Sequence, residues 1–130
     1  MIPQKILSQS PRVLTQEQRE FYFEQGYLLA EEFIEDRWLA RLRDAINRQV
    51  ELSRKIDKPD AVFDLEPGHS ADQPRLRRVS SPCDQDILFW EFLTHSRLGD
   101  LLADLLGPDV KFYQAKLNFK WARGGSGVNW

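Results

Sequence analysis

The sequence predicts an α+β fold, with a helical first part followed by short strands, and three observations carry that expectation. Apolar residues recur at helical spacing from Trp38 to Val50, and again from Leu98 to Leu106. From Val110 to Trp121 the pattern changes to strict alternation, the period of a strand with two unlike faces. A chain of 130 residues with 42% hydrophobic residues fits one small domain or a piece of a larger one.

Residues 1–13 contain two prolines and no clear period, so an irregular N-terminal arm is expected there, with the domain proper over 14–130. Thr15-Gln16-Glu17-Gln18 matches a capping box, in which the Thr15 hydroxyl accepts from the Gln18 amide and the Gln18 side chain reaches back. That helix should end at Gly26, with Leu14, Phe21 and Phe23 as its apolar contacts. Tyr27 to Phe33 is too short for a helix and reads as a strand. A second helix opens at Glu35 or Asp36, with Trp38, Leu39, Leu42, Ala45, Ile46 and Val50 as its packing face.

Prolines at 59, 67, 74 and 82 then mark loops and short strands, expected at Ala61–Leu65 and Arg75–Val79. Pro82 suits the first turn of a helix carrying Ile87, Leu88, Phe89, Phe92 and Leu93. Ser96 begins another, with Leu98, Leu101, Leu102, Leu105 and Leu106 on one side, and Gly107-Pro108 ends it. In the alternating segment, Tyr113, Ala115, Leu117, Phe119 and Trp121 form an apolar face, and Gln114, Lys116, Asn118 and Lys120 a polar one. Gly124, Gly125 and Gly127 make a turn, and Val128-Asn129-Trp130 resembles the start of a further strand.

Composition narrows the function classes. Lys plus Arg number 18 against 20 Asp plus Glu, a net charge of −2 that gives no footprint for nucleic acid and no polybasic membrane patch. Arg75, Arg77 and Arg78 are candidate anion contacts or a solvated strand-edge run. Cys83 is the single cysteine, so no internal disulfide and no cysteine pair at zinc spacing is available, and it reads as a helix-start residue rather than a nucleophile. Met1 to Ser10 lack the layout of a signal peptide, and no run approaches the about 18 apolar residues of a membrane span. The expected location is cytoplasmic, with no membrane and no nucleic-acid partner.

His69 and His95 are the two histidines, and His69-Ser70-Ala71-Asp72 is the tightest local metal candidate. It lies in a Pro/Gly-rich loop that fixes ligand geometry poorly, while His95 lies between two helices, capping or exposed. No metal site is expected from them, although a small metal-binding protein using His69, His95 and Asp72 stays as a third reading. No Gly-x-Ser-x-Gly elbow is present, and Gly124-Gly125-Ser126-Gly127 lacks the Lys and helix of a phosphate loop. The polar strand face remains. It is either a solvent-facing side of a half-buried strand or the lining of a pocket. Asn is depleted in strands, the opposite face is aromatic, and the lysines offer charge for a small dicarboxylate.

Several stretches, in their order, resemble the opening of phytanoyl-CoA dioxygenase family proteins. They are Leu14-Thr15-Gln16-Glu17-Gln18 through Glu24-Gln25-Gly26-Tyr27-Leu28, then Leu105-Leu106-Gly107-Pro108-Asp109-Val110. Tyr113 to Lys120 is similar to the Gln-x-(Lys/Arg)-x-Asn-x-Lys strand of that family, with Trp121 where it often has Pro. Gly125-Ser126-Gly127-Val128-Asn129-Trp130 resembles the stretch that leads into the family's Trp-His-x-Asp.

The resemblance implies a double-stranded β-helix, or jelly roll, with outer helices, of which this chain would hold the N-terminal helical part and the first strands. It also implies Fe(II) and 2-oxoglutarate as cofactors of a full-length parent enzyme that hydroxylates a small organic substrate. By motif position, Lys120 and Gln114 would meet the cosubstrate, and Asn118 and Lys116 the substrate. The His-x-Asp motif is absent from these 130 residues, so no catalytic residue, no metal ligand, no bound cofactor and no activity are expected of the chain alone, and unpaired strands would favour self-association. The competing reading is a non-catalytic binding module that docks a partner on the Trp38/Leu42 or Leu98/Leu102 stripe.

Overall fold

In the computed structural model, which describes residues 3–122 with Gly124, Gly125 and Gly127, the elements run in the order α1 (Pro3–Leu7), α2 (Gln16–Gln25), α3 (Asp36–Ser53), β1 (Phe63–Leu65), β2 (Leu76–Ser80), α4 (Pro82–Gln85), α5 (Ile87–His95), α6 (Leu98–Leu106) and β3 (Lys116–Asn118). The protein is therefore α+β. It divides into two compact units, one of Met1–Leu39 with Glu91–Phe112 and one of Ala40–Trp90 with Tyr113–Trp130. Among the described residues, no helix is long and apolar enough to cross a membrane.

The first unit is built on α1, α2 and α6, which contact one another pairwise. The helix α2 starts as its sequence requires. The Thr15 hydroxyl accepts from the Gln18 N–H at 3.2 Å, and Gln18 Oε1 accepts from the Thr15 N–H at 2.9 Å. It ends at Gly26, whose φ of 81° is the left-handed conformation that glycine adopts without steric cost. The first correction is the N-terminal arm: Pro3–Leu7 is helical, and its Ile6 is buried. What holds this segment is a charged pair of anchors rather than apolar periodicity. Arg19 is buried and donates to the carbonyls of Ile6, Gln9 and Asp104 and to Gln16 Oε1. The buried Asp104 carboxylate accepts from the backbone N–H groups of Arg12, Val13 and Leu14 at 2.8, 2.8 and 2.9 Å. Each such charge-assisted bond satisfies a backbone donor that burial would otherwise leave costly. Phe21, expected as an apolar contact of α2, is 40% exposed and lies edge-on to Tyr27.

The stretch Tyr27–Phe33 forms no strand. Glu32 takes a positive φ of 51°, which bends the chain out of the extended conformation, and Tyr27 and Leu29 are exposed. The first turn of α3 places Trp38 against Phe92 with ring centroids 5.6 Å apart. Trp38 is buried, and Leu42, Leu98 and Leu102 are half-buried.

In the second unit, the remainder of α3 buries Ala45, Gln49 and Ser53, a stripe at i, i+4 and i+8. The helix expected from Pro82 is interrupted at Asp86, which takes extended φ and ψ of −146° and 122°. Asp86 acts there as a cap. Its Oδ1 accepts from the Leu88 N–H at 3.0 Å, and its Oδ2 pairs with Arg48 at 2.7 Å. A three-stranded antiparallel sheet, in the order β1-β2-β3, completes the unit. The long strand expected from Val110 to Trp121 is ladder-paired at Lys116–Asn118 alone, and β3 is an edge strand rather than a central one. Tyr113, expected on the apolar face, is 88% exposed.

Candidate functional site

The sheet owes its two unlike faces to one irregularity. Asp64 pairs with Arg78 but Leu65 pairs with Leu76, so Arg77 is an extra residue on β2. In a regular strand Leu76 and Val79 would point to opposite faces, because three residues is an odd step. A bulge of this kind corrects the phase. Leu76 and Val79, both fully buried, then share a face with Phe63, Leu65 and Leu117, while Arg77 and Arg78 share the other. Burying two such side chains contributes on the order of 1.5–3 kcal/mol each. That is far more than the run of arginines costs on a face reached by solvent, so the bulge is the favoured solution.

The polar face carries a row of opposed residues, Asp64 on β1, Arg78 on β2 and Asn118 on β3, with Ser80 opposite Lys116 beside it. One carboxylate serves two guanidiniums: Asp64 Oδ2 lies 3.3 Å from Arg78 Nη2 and 3.6 Å from Arg77 Nη1. Arg77 also donates from Nη2 to the Gly127 carbonyl at 3.2 Å. Arg78 Nε is buried with no hydrogen-bond partner among the described residues, although 42% of the side chain is exposed.

Lys116 and Asn118 lie on β3 with exposed side chains. Past the strand the alternation continues, Phe119 and Trp121 half-buried and Lys120 exposed, which brings Lys120 to the side of Lys116 and Asn118. The Phe119 N–H donates to the Arg77 carbonyl at 2.9 Å, and Trp121 Nε1 donates to the Leu76 carbonyl at 2.8 Å. These two bonds hold the chain against β2 beyond the ladder. Gln114 lies outside the ladder, exposed, two residues before the strand. Val128-Asn129-Trp130, expected to begin a further strand, lies outside the described residues.

The Gly-rich segment rests on the same hairpin. A side chain at Gly124 would come within 3.3 Å of Arg75 Nη1, and one at Gly125, where φ is +112°, within 3.5 Å of Glu66 Oε1. Glu66 is buried, and its Oε2 lies 3.9 Å from Arg75 Nη1. Glycine is favoured at 125 by its positive φ, and a side chain at 124 would need the Arg75 guanidinium to shift slightly.

The histidines have other employment. His69 Nε2 meets the carbonyls of Ser53 at 3.0 Å and Ile56 at 3.2 Å, and its Nδ1 accepts from the Arg75 N–H at 2.9 Å. The neutral tautomer protonated on Nε2 satisfies all three contacts. It ties the C-terminal end of α3 to the start of β2. His95 Nδ1 lies 2.8 Å from the Thr94 hydroxyl. Among the described residues, no group of three His, Cys, Asp or Glu side chains could hold a metal ion. Partial burial, with Asp84 beside it, pushes the Cys83 thiol above its usual range, which disfavours the thiolate.

Sequence reasoning named Lys116, Asn118 and Lys120 from their alternation. It left the arginines as either contacts or a solvated run, because a bulge has no local residue signature in Leu76-Arg77-Arg78-Val79. The one available clue was the odd spacing of Leu76 and Val79 in a segment that otherwise reads as a strand.

The chain is 25% identical over 115 residues to a protein of Stutzerimonas stutzeri named probable alpha-ketoglutarate-dependent hypophosphite dioxygenase. The match covers 88% of this chain and 40% of that protein, so the chain spans well under half the length of the relative it matches. No family model matches the chain, and no solved structure matches it significantly. The chain is thus distantly similar, over most of its own length, to part of a 2-oxoglutarate-dependent dioxygenase.

Proposed function

We propose that this chain is the N-terminal part of an Fe(II)- and 2-oxoglutarate-dependent oxygenase of the phytanoyl-CoA dioxygenase type. In that reading the polar face of β2 and β3 lines the cosubstrate and substrate pocket. The observation that carries it is the match to a 2-oxoglutarate-dependent dioxygenase over 88% of the chain. The sheet supports it independently, since Lys116, Asn118 and Lys120 share a cationic side with Arg78. A dicarboxylate is well matched by such a surface, because charge-assisted bonds to carboxylate oxygens are the strong ones.

Lys120 takes the far carboxylate of 2-oxoglutarate, Gln114 is assigned to the cosubstrate as well, and Asn118 and Lys116 face the substrate. The described residues do not themselves fit iron. His69 has both ring nitrogens engaged with the backbone, and no three donors converge. No step at the metal is therefore assigned to these residues. The free edge of β3 is where further strands of the jelly roll would pair, or where a second copy would associate when they are missing.

The test is Lys120→Ala in the protein extended through its own coding sequence. The expected result is at least a tenfold higher 2-oxoglutarate requirement, with metal binding kept. An unchanged requirement would remove Lys120 from the cosubstrate site.

A further inference from the structure

We infer that Arg78 is an anion-recognition residue. With Lys116 and the Asn118 carboxamide it takes the oxyanion of a small negatively charged ligand on the polar face of the sheet, and Asp64 positions its guanidinium. The inference rests on the reading that this face lines the pocket, and it names the class of substrate: a small molecule bearing a carboxylate or a tetrahedral oxyanion, distinct from the 2-oxoglutarate carboxylate assigned to Lys120.

Charge is the first argument. Arg77, Arg78 and Lys116 share this side of the sheet, and among the described contacts Asp64 is the carboxylate that pairs with both arginines. Asp64 divides itself between two guanidiniums at 3.3 and 3.6 Å, so neither is fully compensated. An arginine fork carries five N–H donors, and one carboxylate oxygen at 3.3 Å engages a small part of them.

Commitment is the second. Arg77 is held by Asp64 on one side and by the Gly127 carbonyl on the other. Among the described contacts, Arg78 has the single ion pair to Asp64, a buried Nε without a partner, and an exposed remainder. It is the arginine with donors still to satisfy.

Placement is the third. Arg78 stands directly opposite Asn118, and Lys116, the partner of Ser80, stands diagonal to it. Opposed positions on one face lie about 4.5–5.5 Å apart and diagonal ones about 7–8 Å. Three side chains rooted at those spacings can converge on one oxyanion, and the Asn118 carboxamide would donate to an oxygen without adding charge. Without an anion, cations so spaced on one face repel one another.

The experiment uses the 15N-labelled protein extended through its own coding sequence, titrated separately with inorganic phosphate and acetate while the Arg78 Nε–H and Asn118 side-chain amide signals are followed. The expected result is saturable movement of both signals, weakening with added salt. Arg78→Gln should weaken binding at least tenfold, and Arg78→Lys should keep part of it, since the charge remains and the fork is lost. Phosphate binding more tightly than acetate assigns a tetrahedral oxyanion, and the reverse assigns a carboxylate. Arg78→Gln with a dispersed, folded spectrum and unchanged affinity overturns the inference. So does movement spread evenly over all arginine and lysine neighbours. The cosubstrate assignment is tested apart from this by Lys120→Ala against 2-oxoglutarate, so either claim can fall alone.

Discussion

Two clusters of the same residue types meet different fates in this protein. In the first unit Asp104 and Arg19 are buried, and every contact they make is to the protein itself. In the second unit Asp64 and its two arginines share a face in which a quarter of the carboxylate side chain and about two fifths of each guanidinium side chain are exposed. The first cluster spends four of the five Arg19 N–H donors and both Asp104 carboxylate oxygens within the chain, and it ties the N-terminal segment to α6. The second has cation to spare. Saturation of the donors, rather than the presence of charge, separates a structural cluster from a binding one.

The comparison breaks most visibly at Asp104. Replacing it with Ala orphans three backbone N–H groups, one buried and two partly buried, so Asp104→Ala should lose about 3 kcal/mol of stability in urea unfolding. Its acid response is a second handle. Burial alone would raise this carboxyl, but three backbone donors and the nearby Arg19 outweigh that, and its pKa is held below the usual carboxylate range. A group depressed in the folded state stabilises above its unfolded pKa, about 3.9, and that stability is lost as pH falls below it. Acid unfolding monitored through the first unit should therefore lose its steepness in Asp104→Asn. A wild-type-like acid transition in that variant would show that Asp104 is not the group responsible.

His69→Ala should cost about 1–3 kcal/mol, because it strips a donor from two carbonyls at the end of α3 and an acceptor from the Arg75 N–H. Hydrogen exchange at the Arg75 amide checks the site of the loss. Gly26→Ala should cost about 1 kcal/mol through the left-handed φ of 81°, since the space beside it is open. The smallest stability effect belongs to the binding cluster. Asp64→Asn should change unfolding by less than about 1 kcal/mol, as for other half-exposed ion pairs, while altering the anion response of Arg78. A large loss of stability there would move Asp64 into the same class as Asp104.

Legibility followed the range of the interactions. The capping box at Thr15 and the stop at Gly26 are set by residues a few positions apart, and the sequence displayed them; of the buried face of α3 it displayed Trp38 and Ala45 but not the polar Gln49 and Ser53. Asp104 holds Leu14 across 90 residues, and Arg19 reaches Asp104 across 85, so the helical Pro3–Leu7 segment had no local sign. The alternation from Val110 to Trp121 did mark a strand, but the ladder needs a partner, and β2 pairs with it at Lys116–Asn118 alone. Of the candidate site, Lys116, Asn118 and Lys120 were visible in that period. Arg78 became part of it through the bulge at Arg77, which depends on the pairing of β1 with β2.

If, as we propose, these residues are one side of an oxygenase, the transcript read through codon 130 and beyond should carry an in-frame His-x-Asp immediately after Trp130, followed by the remaining strands and a second His. A stop codon there, with no such coding sequence in any frame, would refute the proposal.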